Sequence, residues 1–321
     1  MSSEELKLPS YGGQALIEGV MMRGSRFLAA ALRSPEGEIV IHTEELGKIY
    51  SSNIKNIPIL RGLILLWDAL GIGIRYLTIS ANLQTGEDEQ IEGPLLYGTL
   101  AASIGIAVLL FFLVPAGLGQ WSESLLNWGA WWGNLLEGFI RLLFIILYIW
   151  GIGRLEDIDR VFQFHGAEHK TINAFEANSE LTPEKVTRFS LEHPRCGTSF
   201  LLTLVLFSII FFAALGPLPV VWRLASRVLF LPLLAGFAYE YIRWTANHMD
   251  SAIVRFLVKP NMALQRLTTR EPDLKTLEVS IAAFNAMYAL ENPSATSKDS
   301  EATTPSTEQP AFIGEGQHQN Q

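Results

Sequence analysis

Two of the chain's six histidines fall in Phe164-His165-Gly166-Ala167-Glu168-His169-Lys170, with a glutamate directly before the second. On a helix, His165 and His169 lie one turn apart on one face, the spacing with which two imidazoles share a metal ion. The order H-x-x-E-H inverts that of the zincins, and the glutamate beside the second histidine then serves as general base toward a water on the metal. Metal-assisted hydrolysis is the leading chemistry, with a divalent metal, zinc first, as cofactor. The competing reading makes these residues the polar face of an amphipathic helix, hydrogen-bonded and paired with Lys170.

One helix cannot close such a site. Glu176 lies 11 residues beyond His165, about 16 Å along a straight helix, so the third ligand comes from elsewhere. His193 and Cys196 in His193-Pro194-Arg195-Cys196-Gly197 lead, with Glu240, His248, Asp250 and Glu18 behind them. Zinc accepts imidazole, thiolate and carboxylate, so residue type does not choose. In the hydrolytic reading Glu168 is the general base and Arg195 stabilises a developing oxyanion. A variant makes Cys196 a nucleophile with a histidine as its base; against it stands a small, buried packing cysteine.

The elements that must position these residues are mostly apolar. The 321 residues are 49% hydrophobic and 17% charged, with mean hydropathy +0.24, values of a membrane protein. A net charge of -8 with no basic surface pattern gives no footing for nucleic acid. A single cysteine excludes an intramolecular disulfide and an all-cysteine zinc site. Met1 to Ser10 is polar, lacks a signal-peptide pattern, and is expected to be flexible and cytosolic.

Residues 11–53 read as a small β-rich unit, with Ser34-Pro35-Glu36-Gly37 as a hairpin turn between Phe27 to Arg33 and Glu38 to Thr43. Residues 54–80 are apolar but carry Arg61, Asp68 and Arg75 at heptad spacing, which predicts an interfacial helix rather than a span. Asp68 there reads as a structural ion pair. After an acidic loop, Gln84 to Glu92, four spans are expected in two hairpins, 94–152 and 198–244. They run from about Pro94 to Leu118, Trp131 to Ile152, Thr198 to Leu215 and Val220 to Ile242. The loop 153–197 between the hairpins carries six lysines and arginines and the H-x-x-E-H motif, so the positive-inside rule places it in the cytosol. Arg223 and Arg227 fall at an outer helix end, from which arginines snorkel. Residues 245–290 form cytosolic C-terminal helices, with Asp273 capping an apolar-striped helix, and residues 291–321 read as a disordered tail. The fold class is an α-helical membrane protein: four transmembrane helices with a cytosolic α+β portion assembled from N-terminal, middle-loop and C-terminal segments.

Gly12 to Gly24, Phe164 to Lys170, His193 to Ser199 and Leu264-Gln265-Arg266-Leu267-Thr268-Thr269-Arg270-Glu271-Pro272 together resemble, in the same order, the YqhQ-like family of bacterial multi-pass membrane proteins, a domain-of-unknown-function family. The likeness runs from Tyr11 to about Leu290. It implies a bacterial inner-membrane location and a predicted metal-dependent enzyme, with His165, Glu168, His169, His193 and Cys196 on the family's motif positions. Lys259-Pro260-Asn261-Met262 departs from the pattern, which sets glycine after the proline. The partners expected are membrane lipids and a membrane-protein or lipid-linked substrate. Two other classes compete: a non-catalytic scaffold or assembly factor with a structural metal or polar cluster, and a small transporter or channel. The last draws on Glu137 and Arg141, one helical turn apart inside a span, for which mutual neutralisation is the simpler account.

Overall fold

A computed structural model describes residues 11–47, 57–85 and 93–293. The expected flexible start, the acidic loop over 86–92 and the tail from residue 294 lie outside the described residues.

Four short strands form an antiparallel meander in the order β1-β2-β3-β4: Gly12–Leu16, Gly19–Arg23, Phe27–Arg33 and Ile39–Glu45. The 34–37 turn behaves as its residues dictate, with Gly37 at φ 92° and its N–H donating to the Ser34 carbonyl at 2.9 Å. Strands β2 and β3 read as continuous apolar runs because both faces of the sheet are covered. Val20, Met22, Ala29 and Ala31 face Phe164, Ile172, Val279 and Phe284 of two helices, α5 (Glu156–Glu176) and α11 (Leu274–Glu291). Met21, Leu28, Ala30 and Leu32 face Tyr76 of α1 (Leu60–Gln84) on the other side. Fully burying a side chain such as Phe164 or Phe284 contributes about 1.5–3 kcal/mol, so this three-layer unit has its own core. N-terminal, middle and C-terminal segments thus meet in one body, as expected.

The remaining helices are α2 (Gly93–Val108), continued through a π-turn at Leu109–Leu113 into α3 (Val114–Leu126), then α4 (Ala130–Ile152), α6 (Pro183–Val186), α7 (Gly197–Ala214), α8 (Val220–Leu229), α9 (Leu231–Ala246) and α10 (Ala252–Thr268). Among the described residues, four helical stretches are long and apolar enough to cross a membrane: Leu60–Gln84, Leu96–Leu126, Ala130–Ile152 and Gly197–Ala214. Helices α8 and α9 pass that test only as a pair bent by 43°.

Three findings bear on the expected spans. The fourth is broken at Phe230, two residues before Pro232, rather than continuous. The 54–80 stretch, read as interfacial, forms a 25-residue helix that meets the length and composition of a span. Its heptad-spaced charges do not interrupt it because each meets an opposite charge: Arg61 with Glu240, Asp68 with Arg23, Arg75 with Glu44. The second half of α1, from Ile72 to Leu83, is packed on the sheet rather than left free for lipid. Finally, Arg223 and Arg227 do not snorkel. The bend turns α8 into the bundle, where both are buried.

There Glu137 accepts from Arg141 at 2.7 Å and from Arg227 at 2.6 Å, while Arg223 donates to Asn134 at 2.9 Å and Glu123 at 2.7 Å. Charges this deep persist only when paired and hydrogen-bonded. The network pins α3, α4, α7 and α8 together, with Arg141 also bonded to Ser208 at 2.7 Å. It is the account of Glu137 and Arg141 as a structural lock, enlarged. Helix α10 continues through Pro260, and Asn261 reaches Thr203 on α7 at 3.2 Å.

Candidate metal centre

Helix α5 begins with Glu156, Asp157 and Asp159 in its first turn, the end of the helix dipole where carboxylates stabilise. One face carries Phe164 and Ile172 into the sheet core, and the neighbouring face turns His165 and His169 toward two returning segments, 191–196 and 268–270. Gly166 permits the second approach. A Cβ there would lie 2.1 Å from the Arg270 carbonyl oxygen, so no larger residue lets that segment lie against the helix. The Arg270 N–H closes the contact by donating to the Phe162 carbonyl at 2.9 Å.

This packing sets the tautomers of both histidines. His165 Nδ1 lies 2.8 Å from the Thr268 carbonyl, and His169 Nδ1 lies 2.5 Å from the Leu191 carbonyl. A carbonyl only accepts, so in each neutral ring the proton sits on Nδ1 and Nε2 presents its lone pair. His165 Nε2 is 3.2 Å from Cys196 Sγ. His169 Nε2 is buried and has no hydrogen-bond partner. The candidate ligand atoms of His165, His169 and Cys196 all lie within 4.8 Å of one another. Two imidazole nitrogens with one thiol sulfur, each imidazole oriented by a backbone carbonyl, suit zinc, and the orphaned Nε2 is an atom a metal would satisfy.

Cys196 owes its position to helix α7, of which it is the N-cap, its Sγ accepting from the Thr198 N–H at 3.4 Å. His193 comes near without joining: its ring centroid is 5.8 Å from that of His169, and its buried Nε2 lies 3.6 Å from Glu176 Oε2, too far for a hydrogen bond. Burial lowers the His193 pKa, outweighing the pull of Glu176. Burial pushes the Glu176 carboxyl up, but its contacts with His193 and Arg195 overcome that and hold it low. Arg195 is ion-paired with Glu176, and its Nε is buried without a partner. Glu176, too far along the helix to be a ligand, thus enters the surroundings of the site through His193.

Glu168 points to the sheet side of α5, 6% exposed and hydrogen-bonded by the Gly13 N–H. Burial raises its pKa, against smaller opposite effects of His165 and Gly13. A Cβ on Gly13 would lie 2.6 Å from the Met21 carbonyl oxygen and 2.9 Å from the Glu168 side chain, which is why a glycine stands there. The other ligand candidates are engaged elsewhere: Glu18 pairs with Arg160, Glu240 with Arg61, His248 binds the Trp244 carbonyl, and Asp250 is exposed.

Three positioning residues have no signature as ligands. Gln265 bonds both the N–H and the carbonyl of His193 and also Ser199 Oγ, at 2.8–2.9 Å. Lys170, 3% exposed, donates to the carbonyls of Thr187 and Phe189 and pairs with Glu271. Thr268 supplies only a backbone carbonyl. Gln265, Thr268 and Glu271 all belong to the Leu264-to-Pro272 motif, the one signal that marked them.

A family profile described as "Protein of unknown function (DUF1385)" matches residues 57–290. The chain is 33% identical over 304 residues to "Uncharacterized protein YqhQ" of Bacillus subtilis (strain 168), an alignment covering 88% of this chain and 93% of that relative. No solved structure matches.

Proposed function

The chain belongs to the DUF1385 family of proteins of unknown function, and on that footing we propose a metal-dependent hydrolase of the bacterial inner membrane, acting at the cytosolic face with both termini in the cytosol. The observation that carries this reading is the convergence of His165, His169 and Cys196 with a buried, unpartnered His169 Nε2. Three protein ligands would leave a position open to water, as in catalytic rather than structural zinc sites. The packing of sheet, α5 and α11 into one body supports a single side for both ends and the motif, and the six cationic residues of 153–197 support the cytosolic side.

A bound divalent ion supplies Lewis acidity and lowers the pKa of a water. The chain's residues do the rest. His165, His169 and Cys196 would hold the ion, and the Thr268 and Leu191 carbonyls fix the two rings. Glu168, the general base the motif offers, is buried on the sheet side of α5 and bound by the Gly13 N–H, so it holds no position at the cluster from which to take a proton. Arg195, steadied by Glu176, offers its unpartnered Nε–H to a developing oxyanion. His193 braces the cluster from behind.

Metal content by mass spectrometry on detergent-purified protein tests the reading. The parent is expected to carry about one zinc or similar ion per chain and His169→Ala to lose it. A parent without metal that gains none from zinc, manganese or iron overturns it. The deep burial of His169 and Cys196, 1% and 6% exposed, favours a second reading, a scaffold with a structural metal. Cobalt substitution separates the two: added acetohydroxamate changes the visible spectrum of an open site and leaves a closed four-ligand site unchanged.

A further inference from the structure

A cavity of about 360 Å³ opens at the end of α4, where the apolar helix gives way to Gly153 and Arg154. Its walls carry Trp150, Arg154, Asp159, Arg266 and Arg270, so three guanidiniums face one carboxylate. Asp159 is taken by Arg270 Nε at 3.0 Å, and Arg266 Nε reaches out to Glu192 at 2.6 Å. Arg154 stacks on Trp150 with its guanidinium carbon 3.3 Å from the ring centroid and donates to the Trp150 carbonyl. Among the described residues it has no carboxylate partner. The cavity is therefore of small-ligand size, positively charged, and furnished with planar donors suited to phosphate oxygens.

What leads away from it is apolar. Leu143, Leu147 and Trp150 are exposed on α4 at spacings of four and three residues, a single stripe running down the helix from the cavity mouth. An aromatic at the end of an apolar helix, with arginines just beyond, marks the headgroup level of a bilayer. We propose that this cavity binds the phosphate of an anionic phospholipid, with the acyl chains lying along the α4 stripe.

The site adjoins the histidine cluster through one short segment. Thr268 orients His165 with its carbonyl, while Arg266 and Arg270 on either side line the cavity. The inference deepens the hydrolase reading, on which it rests for its catalytic meaning: the substrate class is a phosphate-bearing lipid, and the cavity anchors its headgroup beside the metal centre. Binding itself requires no metal.

The test is calorimetric titration of the full chain in neutral detergent with three probes: dihexanoyl phosphatidylglycerol, dihexanoyl phosphatidylcholine and inorganic phosphate. Arg154→Gln/Arg266→Gln is the matched variant, both side chains being exposed so that the fold is kept. The expected result is one phosphatidylglycerol per chain, with the double variant weaker by roughly 25-fold at about fivefold per arginine near a membrane surface. Phosphatidylcholine or the variant binding as tightly as the parent pair overturns the proposal, and phosphate alone matching the lipid overturns the lipid assignment. Metal content is read on the same samples. Lipid binding without metal sinks the hydrolase reading and leaves this site standing, whereas metal without lipid binding does the reverse.

Discussion

Gly166→Ala is the sharpest probe of the link between packing and the metal centre. The added Cβ would stand 2.1 Å from the Arg270 carbonyl oxygen, where ordinary contact begins at 3.4 Å, so the 268–270 segment must retreat by roughly 1 Å. The obstacle is backbone, itself fastened by the Arg270 N–H to Phe162 at 2.9 Å, and cannot swing aside as a side-chain tip would. Overpacking costs about 1–3 kcal/mol. The same retreat stretches the 2.8 Å contact of His165 Nδ1 with Thr268 beyond hydrogen-bonding range, about 1 kcal/mol more. The better helix propensity of alanine returns about 1 kcal/mol, leaving a net loss of about 1–3 kcal/mol. Freeing the His165 ring should weaken metal binding by about 10–100-fold, as loss of an orienting partner does. Zinc affinity by competition with a chelator and thermal unfolding in detergent read the two effects. Gly197→Ala is the control, because nothing lies within 4 Å of its Cβ position. A Gly166→Ala protein with the parent's zinc affinity and unfolding temperature would refute the reasoning.

Cys196→Ser should keep α7 capped, since a serine hydroxyl accepts from the Thr198 N–H at least as well as sulfur, yet lose zinc affinity; metal analysis beside circular dichroism checks both halves. Glu137→Leu leaves Arg141 and Arg227 buried without their carboxylate and should destabilise the bundle by about 3–5 kcal/mol, measurable by denaturant unfolding in mixed micelles, where an unchanged midpoint would count against the lock. Asp273 caps α11 through the Thr276 N–H at 2.6 Å, and Asp273→Ala should cost about 1 kcal/mol. Burial pushes the Asp273 carboxyl up, but its bonds to Thr276 and the nearby Arg160 overcome that and hold it low. A depressed carboxyl stabilises above its unfolded pKa of about 3.9 and loses that as pH falls through the folded value. Parent and variant should therefore differ at pH 7 and converge toward pH 2 in pH-dependent unfolding.

Some features of this protein are written in stretches of adjacent residues. Apolar runs long enough to cross a membrane, the 34–37 turn with its left-handed Gly37, the Asp273 cap and the i,i+4 pairing of His165 with His169 each depend on neighbours within a few positions, so composition and spacing reveal them. The character of α1 was harder to read because Arg61, Asp68 and Arg75 look like interruptions until their partners are seen, and those partners come from β2, β4 and α9. The same holds for Arg223 and Arg227, whose burial follows from a 43° bend that hydropathy does not register. At the metal centre, the motif identified two imidazoles and narrowed the third ligand to a short list that residue chemistry could not shorten further. That Cys196 rather than His193 lies within reach of both imidazoles follows from where α7 starts and from Gln265 holding the His193 backbone. The atoms that set both tautomers are backbone carbonyls, which every residue possesses, and the one orienting His165 lies 103 residues away. Sequence thus determined which side chains can bind; only tertiary packing, by delivering particular carbonyls to particular rings, decided which lone pairs converge.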